Sequence, residues 1–149
     1  MIRLATKNDI EEISRLRVLQ QKADWQEEYI DKFDLYNTTK AFLKKHLKKD
    51  LYIFLNIIDN CIASTCGVQI INYLPQCNDN GKQGYICNVY TKDEYRKKGL
   101  QEELLSKVIE FCKKNELFKL SLSSDNEIAI NLYKKFGFKH DSLMMSLKL

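Results

Sequence analysis

The chain has 149 residues and is 44 % hydrophobic, enough for one compact domain with a real core. One proline and five glycines exclude a fibrous or compositionally disordered chain. A net charge of +4 and a pI near 8.7 fall short of the basic excess of a nucleic-acid-binding domain, so no nucleic-acid partner is expected.

No run of eighteen apolar residues is present, so no membrane partner is expected. Met1-Ile2-Arg3-Leu4-Ala5-Thr6 lacks a basic region followed by an apolar one, and a cytoplasmic protein is the expectation. Cys61, Cys66, Cys77, Cys87 and Cys112 are an odd number without a Cys-x-x-Cys pair. His46 and His140 lie far apart. Neither a disulfide framework nor a metal site is expected.

In chain order, Ile2-Arg3-Leu4 reads as a short strand. Thr6 and Asp9 resemble a capping box, and Ile10, Ile13 and Leu16 then recur at helical spacing. Residues 25 to 48 read as helix in two pieces, with a new N-cap at Asn37-Thr38-Thr39. Trp25, Tyr29, Phe33 and Tyr36 line the first piece, and Phe42, Leu43 and Leu47 the second.

Leu51 to Ile58 is a nearly continuous apolar strand, Asp59-Asn60 a two-residue turn, and Cys61 to Tyr73 the returning strand. Pro75 to Lys82 reads as a loop and Tyr85 to Thr91 as a third strand. Leu100, Leu104, Val108 and Cys112 make Gly99 to Lys114 an amphipathic helix. Leu117 to Ser123 alternates with the period of a half-buried strand. Asn126 to Phe136 is a helix with Gly137 beyond its C-cap, and a capping-box pattern joins Ser124 to Glu127. Phe138 to Leu149 reads as a closing strand or two. One α/β domain over residues 1–149 with a mixed sheet fits this order.

The chemistry concentrates at Val89 to Leu100. A strand runs into a basic turn, Arg96-Lys97-Lys98, then into Gly99 and a helix start. The first N–H groups of a helix have no internal partner and lie at the positive end of its dipole. That makes a phosphate cradle, with Gly99 supplying positive φ or a close approach. The clusters Lys44, Lys45, Lys48, Lys49 and Lys134, Lys135 read instead as solvated helix faces.

Tyr95-Arg96-x-x-Gly99-x-Gln101 resembles the acyl-CoA signature of the GNAT acetyltransferases, Arg/Gln-x-x-Gly-x-Gly/Ala, with Gln101 departing at the last position. Asn126-x-x-Ala129-x-x-x-Tyr133-x-x-x-Gly137-Phe138 resembles the same family's downstream motif. Residues 2 to 16 resemble its opening strand and turn; residues 20 to 80 match it thinly.

The resemblance implies a mostly antiparallel mixed sheet, flanked by helices and splayed to form an acyl-CoA cleft. Acetyl-CoA would be co-substrate for acetyl transfer to a small-molecule or peptide amine. The pantetheine arm would pair with Cys87, Val89 and Thr91, beside Tyr90. The pyrophosphate would meet the N–H groups of Arg96, Lys97, Lys98, Gly99, Leu100 and Gln101. Asn126 would contact the CoA arm, Val89 N–H would hold the thioester oxygen, and Tyr133 would be general acid at the sulfur.

Tyr133 also belongs to the apolar stripe Ala129, Leu132, Phe136, so a purely structural role fits it too. No carboxylate lies on the strand Tyr85 to Tyr90, and Asn88 is the candidate for orienting a water in place of a general base. Asp24, Glu27, Glu28 and Asp31 fit either a solvated helix face or a wall that binds a cationic amine. Cys87 lacks a helix N-terminus or a nearby histidine to activate it as a nucleophile. A catalytically weak acyl-CoA sensor of the same fold is the alternative activity. A homodimer paired through Ser142 to Leu149 is the expected mode of any self-association.

Overall fold

The computed structural model describes residues 1–24, 33–141 and 145–149. Its elements are β1 (Ile2–Leu4), α1 (Ile10–Asp24), α2 (Leu35–His46), β2 (Leu51–Ile58), β3 (Cys61–Asn72), β4 (Lys82–Thr91), α3 (Leu100–Lys114), β5 (Lys119–Ser121) and α4 (Glu127–Lys135). The five strands form one sheet in the order β1-β2-β3-β4-β5. The first four pair antiparallel and β5 joins β4 in parallel.

The apolar alternation of the strands sorts the core into two faces. Ile53 and Leu55 meet Ile10, Ile13 and Leu16 of α1 and Leu43 of α2 on one face. Phe54, Cys66, Val68 and Ile86 meet Leu104, Leu105 and Val108 of α3 and Tyr133 of α4 on the other. Asp59 and Asn60 both take positive φ, 49° and 61°, as a two-residue hairpin turn of matching twist requires.

A short 3-10 turn, Lys7–Asp9, precedes α1. Asp9 accepts from the Thr6 N–H at 2.7 Å and the Thr6 hydroxyl at 2.9 Å, and holds Arg3 through two bonds of 2.8 and 2.7 Å.

Several element boundaries differ from the sequence expectation. Asp34, at φ 44°, caps α2 and accepts from Asn37 N–H at 3.3 Å, so Asn37, Thr38 and Thr39 lie inside the helix. Asn126 caps α4, its Oδ1 accepting from Ala129 N–H at 3.1 Å. Ser124 serves one step earlier, accepting from Asn126 N–H at 3.2 Å. Residues 138–141 and 145–149 form no strand, against the expected closing strand; residues 142–144 lie outside the described residues. Trp25, Glu27, Glu28, Tyr29 and Asp31 lie outside them too.

β5 is also shorter than its alternation suggested. It pairs with β4 only from Gln83 to Tyr85, opposite Lys119 to Ser121. Gly84 permits the contact: a Cβ there would come within 2.6 Å of the Leu120 side chain and 2.8 Å of the Leu117 side chain. Beyond Tyr85 the two strands part, and Ile86 to Thr91 has no strand partner on the β5 side among the described residues. This splay leaves an open strand edge beside the start of α3.

Candidate active site

The open edge carries a bulge. Thr65 pairs with Tyr90 and Gly67 with Cys87, so β4 uses one residue more than β3 over this step. Asn88 absorbs the excess in the left-handed region at φ 51°, which asparagine tolerates better than most residues. A bulge leaves backbone groups without ladder partners and re-aims the residues around it.

Four side chains hold it. Thr65 Oγ1 donates to the Asn88 carbonyl at 2.7 Å, and Asn88 Nδ2 donates back to that hydroxyl at 3.3 Å. Gln20 of α1 donates to the Val89 carbonyl at 2.8 Å, while its own Oε1 accepts from Arg17 at 2.8 Å. Gln101 of α3 donates from Nε2 to the Tyr90 carbonyl at 2.8 Å, to Thr91 Oγ1 at 3.0 Å and to the Thr65 carbonyl at 3.1 Å.

Past Thr91, a 3-10 turn (Asp93–Tyr95) leads into the basic loop. Lys97 and Gly99 both take positive φ, 59° and 75°. Gly99 is the N-cap of α3 and accepts the first helical bond, from Glu103 N–H at 3.1 Å. The N–H groups of Leu100, Gln101 and Glu102 therefore have no helical acceptor, at the positive end of the dipole. A Cβ on Gly99 would meet nothing within 4 Å, so the space before the helix is open and the glycine serves its backbone angle.

Arg96, Lys97 and Lys98 are exposed around this opening. Arg96 holds Asp93 at 2.8 Å and the Thr91 carbonyl at 3.3 Å, and the Lys98 ammonium lies 5.2 Å from the Tyr95 ring centre. Free N–H groups, open space and flanking cations together fit a pyrophosphate.

Tyr133 enters the α3 face of the core beside Cys66 and Ile86, with 7 % of its surface exposed. Burial, with a smaller contribution from Cys66, pushes its phenol up to about 12.

The Gly137-Phe138 motif acts on Tyr133 directly. Gly137 at φ 90° reverses the chain, with its N–H on the Lys134 carbonyl at 3.0 Å and the Phe138 N–H on the Tyr133 carbonyl at 3.2 Å. This is a Schellman ending, and its usual apolar contact is the Phe138 ring against the Tyr133 ring.

A groove of about 790 Å³ runs along β5, α4 and residues 136–141 and touches Tyr133. None of residues 86–101 lines it, so it lies apart from both the open edge of β4 and the basic loop. Cys87 is half-buried, and burial pushes its thiol up to about 11, with the Arg17 charge and the Gln69 backbone pulling the other way. A thiol so held is a poor nucleophile. Among the described residues, no three His, Cys, Asp or Glu side chains converge on a metal-holding point.

The structure thus brings Cys87 through Thr91 together with Arg96 through Gln101 around one opening, and sets Asn126 and Tyr133 on α4. Sequence reading missed Gln20, Thr65 and Arg17. Gln20 lies 69 residues from Val89, and nothing local marks such a pairing.

A model of the Acetyltransferase (GNAT) family matches residues 10–138. The chain belongs to that family, whose co-substrate is acetyl-CoA. A predicted acetyltransferase from Clostridium acetobutylicum, solved with acetyl-CoA, is 26 % identical, with a TM-score of 0.83 over 99 % of this chain and 95 % of that one. A GCN5-related N-acetyltransferase from Ralstonia eutropha JMP134 has a TM-score of 0.84 at 16 % identity, over 99 % and 97 % of the two chains. Glucosamine-6-phosphate N-acetyltransferase from Arabidopsis thaliana reaches 0.67 at 22 % identity, over 99 % and 97 %. No curated protein matches the chain.

Proposed function

We propose that the chain is an N-acetyltransferase that moves the acetyl group of acetyl-CoA to a primary amine, small-molecule or peptide, by direct attack. The carrying observation is the bulged, unpaired edge of β4 lying beside the uncapped start of α3. Acetyl-CoA supplies an acyl group activated as a thioester. Cys87, Val89 and Thr91 offer backbone groups for its pantetheine arm, in the manner of an added strand. Residues Arg96 to Gln101 offer N–H groups for its pyrophosphate, with Lys97 and Lys98 supplying charge. Asn126 keeps Nδ2 for the arm while its Oδ1 caps α4.

The bulge fits Val89 N–H as the donor to the thioester oxygen, where charge builds in the transition state. Tyr133 attends the leaving sulfur. A thiol has a pKa of about 8.5, so complete proton transfer from a phenol near 12 is uphill by roughly 5 kcal/mol. A hydrogen bond to the departing sulfur needs no complete transfer, and the proton shed by the amine as the C–N bond forms balances the charge. Asn88, with Nδ2 turned to Thr65, keeps Oδ1 to orient a water. The reading includes a cytoplasmic setting, in keeping with five unpaired thiols. No helix among the described residues is long and apolar enough to cross a membrane.

Thermal unfolding with and without acetyl-CoA tests the reading, with ATP as the control. Ligand at a hundred times its Kd stabilises the fold by about 2.7 kcal/mol. A shift with acetyl-CoA alone, followed by free thiol release over a panel of amines, supports transfer. A shift without thiol release over the whole panel reduces the chain to a binding protein, and no shift removes the cofactor.

A further inference from the structure

Gln101 stands where the family's signature carries glycine or alanine, and its side chain does not crowd the anion opening. It folds inward, half-buried, and its amide nitrogen lies within 3.1 Å of acceptors on β3 and β4. The acceptors explain the choice. The ladder shifts register between Thr65 and Gly67, opposite Cys87 to Tyr90. The carbonyls of Thr65 and Tyr90 flank that break, where bulges strip backbone groups of partners. A carbonyl left without a donor inside a protein is destabilising. Gln101 brings a two-hydrogen donor to both carbonyls and to the Thr91 hydroxyl.

The consequence reaches beyond satisfying two carbonyls. Gln101 is the second residue of α3, one position past Leu100, so its own N–H belongs to the anion opening. Thr65 in turn donates to the Asn88 carbonyl, one residue before Val89. One side chain thereby joins the two halves of the site: the helix start that faces the pyrophosphate, and the bulge that faces the thioester.

We infer that Gln101 is a positioning residue, which fixes the spacing between the α3 anion cradle and the β4 bulge so that both engage one acetyl-CoA. The inference rests on the function proposed above. Gln101→Met keeps the length and volume and removes both donors. Gln101→Ala installs a small residue of the family pattern. Gln101→Asn retains the amide on a shorter arm.

The experiment measures KM for acetyl-CoA, kcat and Tm for wild type and the three variants, with kinetics run at least 20 °C below the lowest Tm. For Gln101→Met the expected result is kcat reduced tenfold or more and KM for acetyl-CoA raised several-fold. Gln101→Ala shows losses of the same size, and Gln101→Asn recovers part of kcat. A lowered Tm with kcat and KM within twofold of wild type overturns the inference and leaves Gln101 a purely structural brace. Unchanged Tm and unchanged kinetics overturn it as well. Wild-type behaviour separates this from the underlying function: a wild type that neither binds nor uses acetyl-CoA defeats that function, whereas an active wild type with a silent Gln101→Met defeats only the positioning role.

Discussion

The Phe138 ring packs edge-on against the Tyr133 ring, 5.8 Å between centres at 61°, and the two residues are also joined through the backbone at 3.2 Å. Five residues apart, they are brought together by the left-handed Gly137. The glycine–phenylalanine pair of the motif therefore orients the tyrosine as well as ending the helix. Phe138→Ala removes the contact while leaving the phenol in place. The expected outcome is kcat down by about tenfold, with Tm lowered by only a few degrees because Phe138 is half-buried at the end of the core. Steady-state kinetics beside a melting curve checks it; unchanged kcat with a lowered Tm would leave Phe138 as packing alone.

Tyr133→Phe deletes one oxygen and keeps the ring in the core. Catalysis by a positioned proton donor contributes roughly 10²–10⁴ in rate. Turnover is expected to fall by about 10²-fold, while the Kd for acetyl-CoA changes less than threefold. Equal losses in both would sink the donor role. The pH profile carries a second signature. A phenol held near 12 stays protonated at ordinary pH, so Tyr133 imposes no alkaline fall in kcat below about pH 11.

The hairpin, the amphipathic α3 and the anion loop were legible because their signals are local: a two-residue turn, a four-residue period, a glycine after a basic run. The caps were less so, since Ser124, Asn126, Asp34 and Asn37 all compete for N-terminal N–H groups and tertiary packing chooses among them. The short pairing of β5 depends on Gly84, 36 residues from its register partner Leu120, and no closing strand forms among the described residues of 138–149 despite suitable residues. The braces of the bulge depend on side chains far apart in sequence. Gln101 read as a flaw in the signature, because its acceptors, two carbonyls and the Thr91 hydroxyl, come together only in three dimensions.

Gly99→Val tests the cradle. Valine at φ 75° is strained, and left-handed backbone costs an ordinary residue about 1–2 kcal/mol. No neighbour lies within 4 Å, so the fold survives with Tm a few degrees lower. The new side chain enters the opening, and affinity for CoA is expected to drop at least tenfold by calorimetry. Affinity within twofold of wild type would remove the phosphate-cradle assignment.

Thiol chemistry offers a check on the site without mutation. Cys61 and Cys77 are exposed, whereas burial raises the Cys66, Cys87 and Cys112 thiols. Reactivity follows the thiolate fraction and access. Iodoacetamide at pH 7.5 is expected to label Cys61 and Cys77 first by mass spectrometry, with activity retained after two adducts. Early labelling of Cys87 with loss of activity would contradict its burial and revive a nucleophilic role.

The ion pair of Arg3 with Asp9 makes stability depend on acid pH. The Arg3 guanidinium, helped by the Thr6 N–H and hydroxyl, lowers the Asp9 carboxyl from 3.8 to about 2 against the opposing cost of burial. The side chain is 11 % exposed, so solvent screens the pair only partly. A carboxyl depressed in the folded state stabilises it fully above the unfolded value, and the contribution is lost as pH falls through the folded value. The window is therefore about pH 4 down to pH 2, and the difference is worth about 2 kcal/mol. Asp9→Asn should lower stability at pH 7 by about that amount, roughly 4–8 °C in Tm for a chain of this size. The variant's urea midpoint should also decline less steeply than wild type between pH 4 and pH 2. Parallel declines of the two proteins across that window would show that Asp9 carries none of the acid sensitivity and that other carboxylates set it.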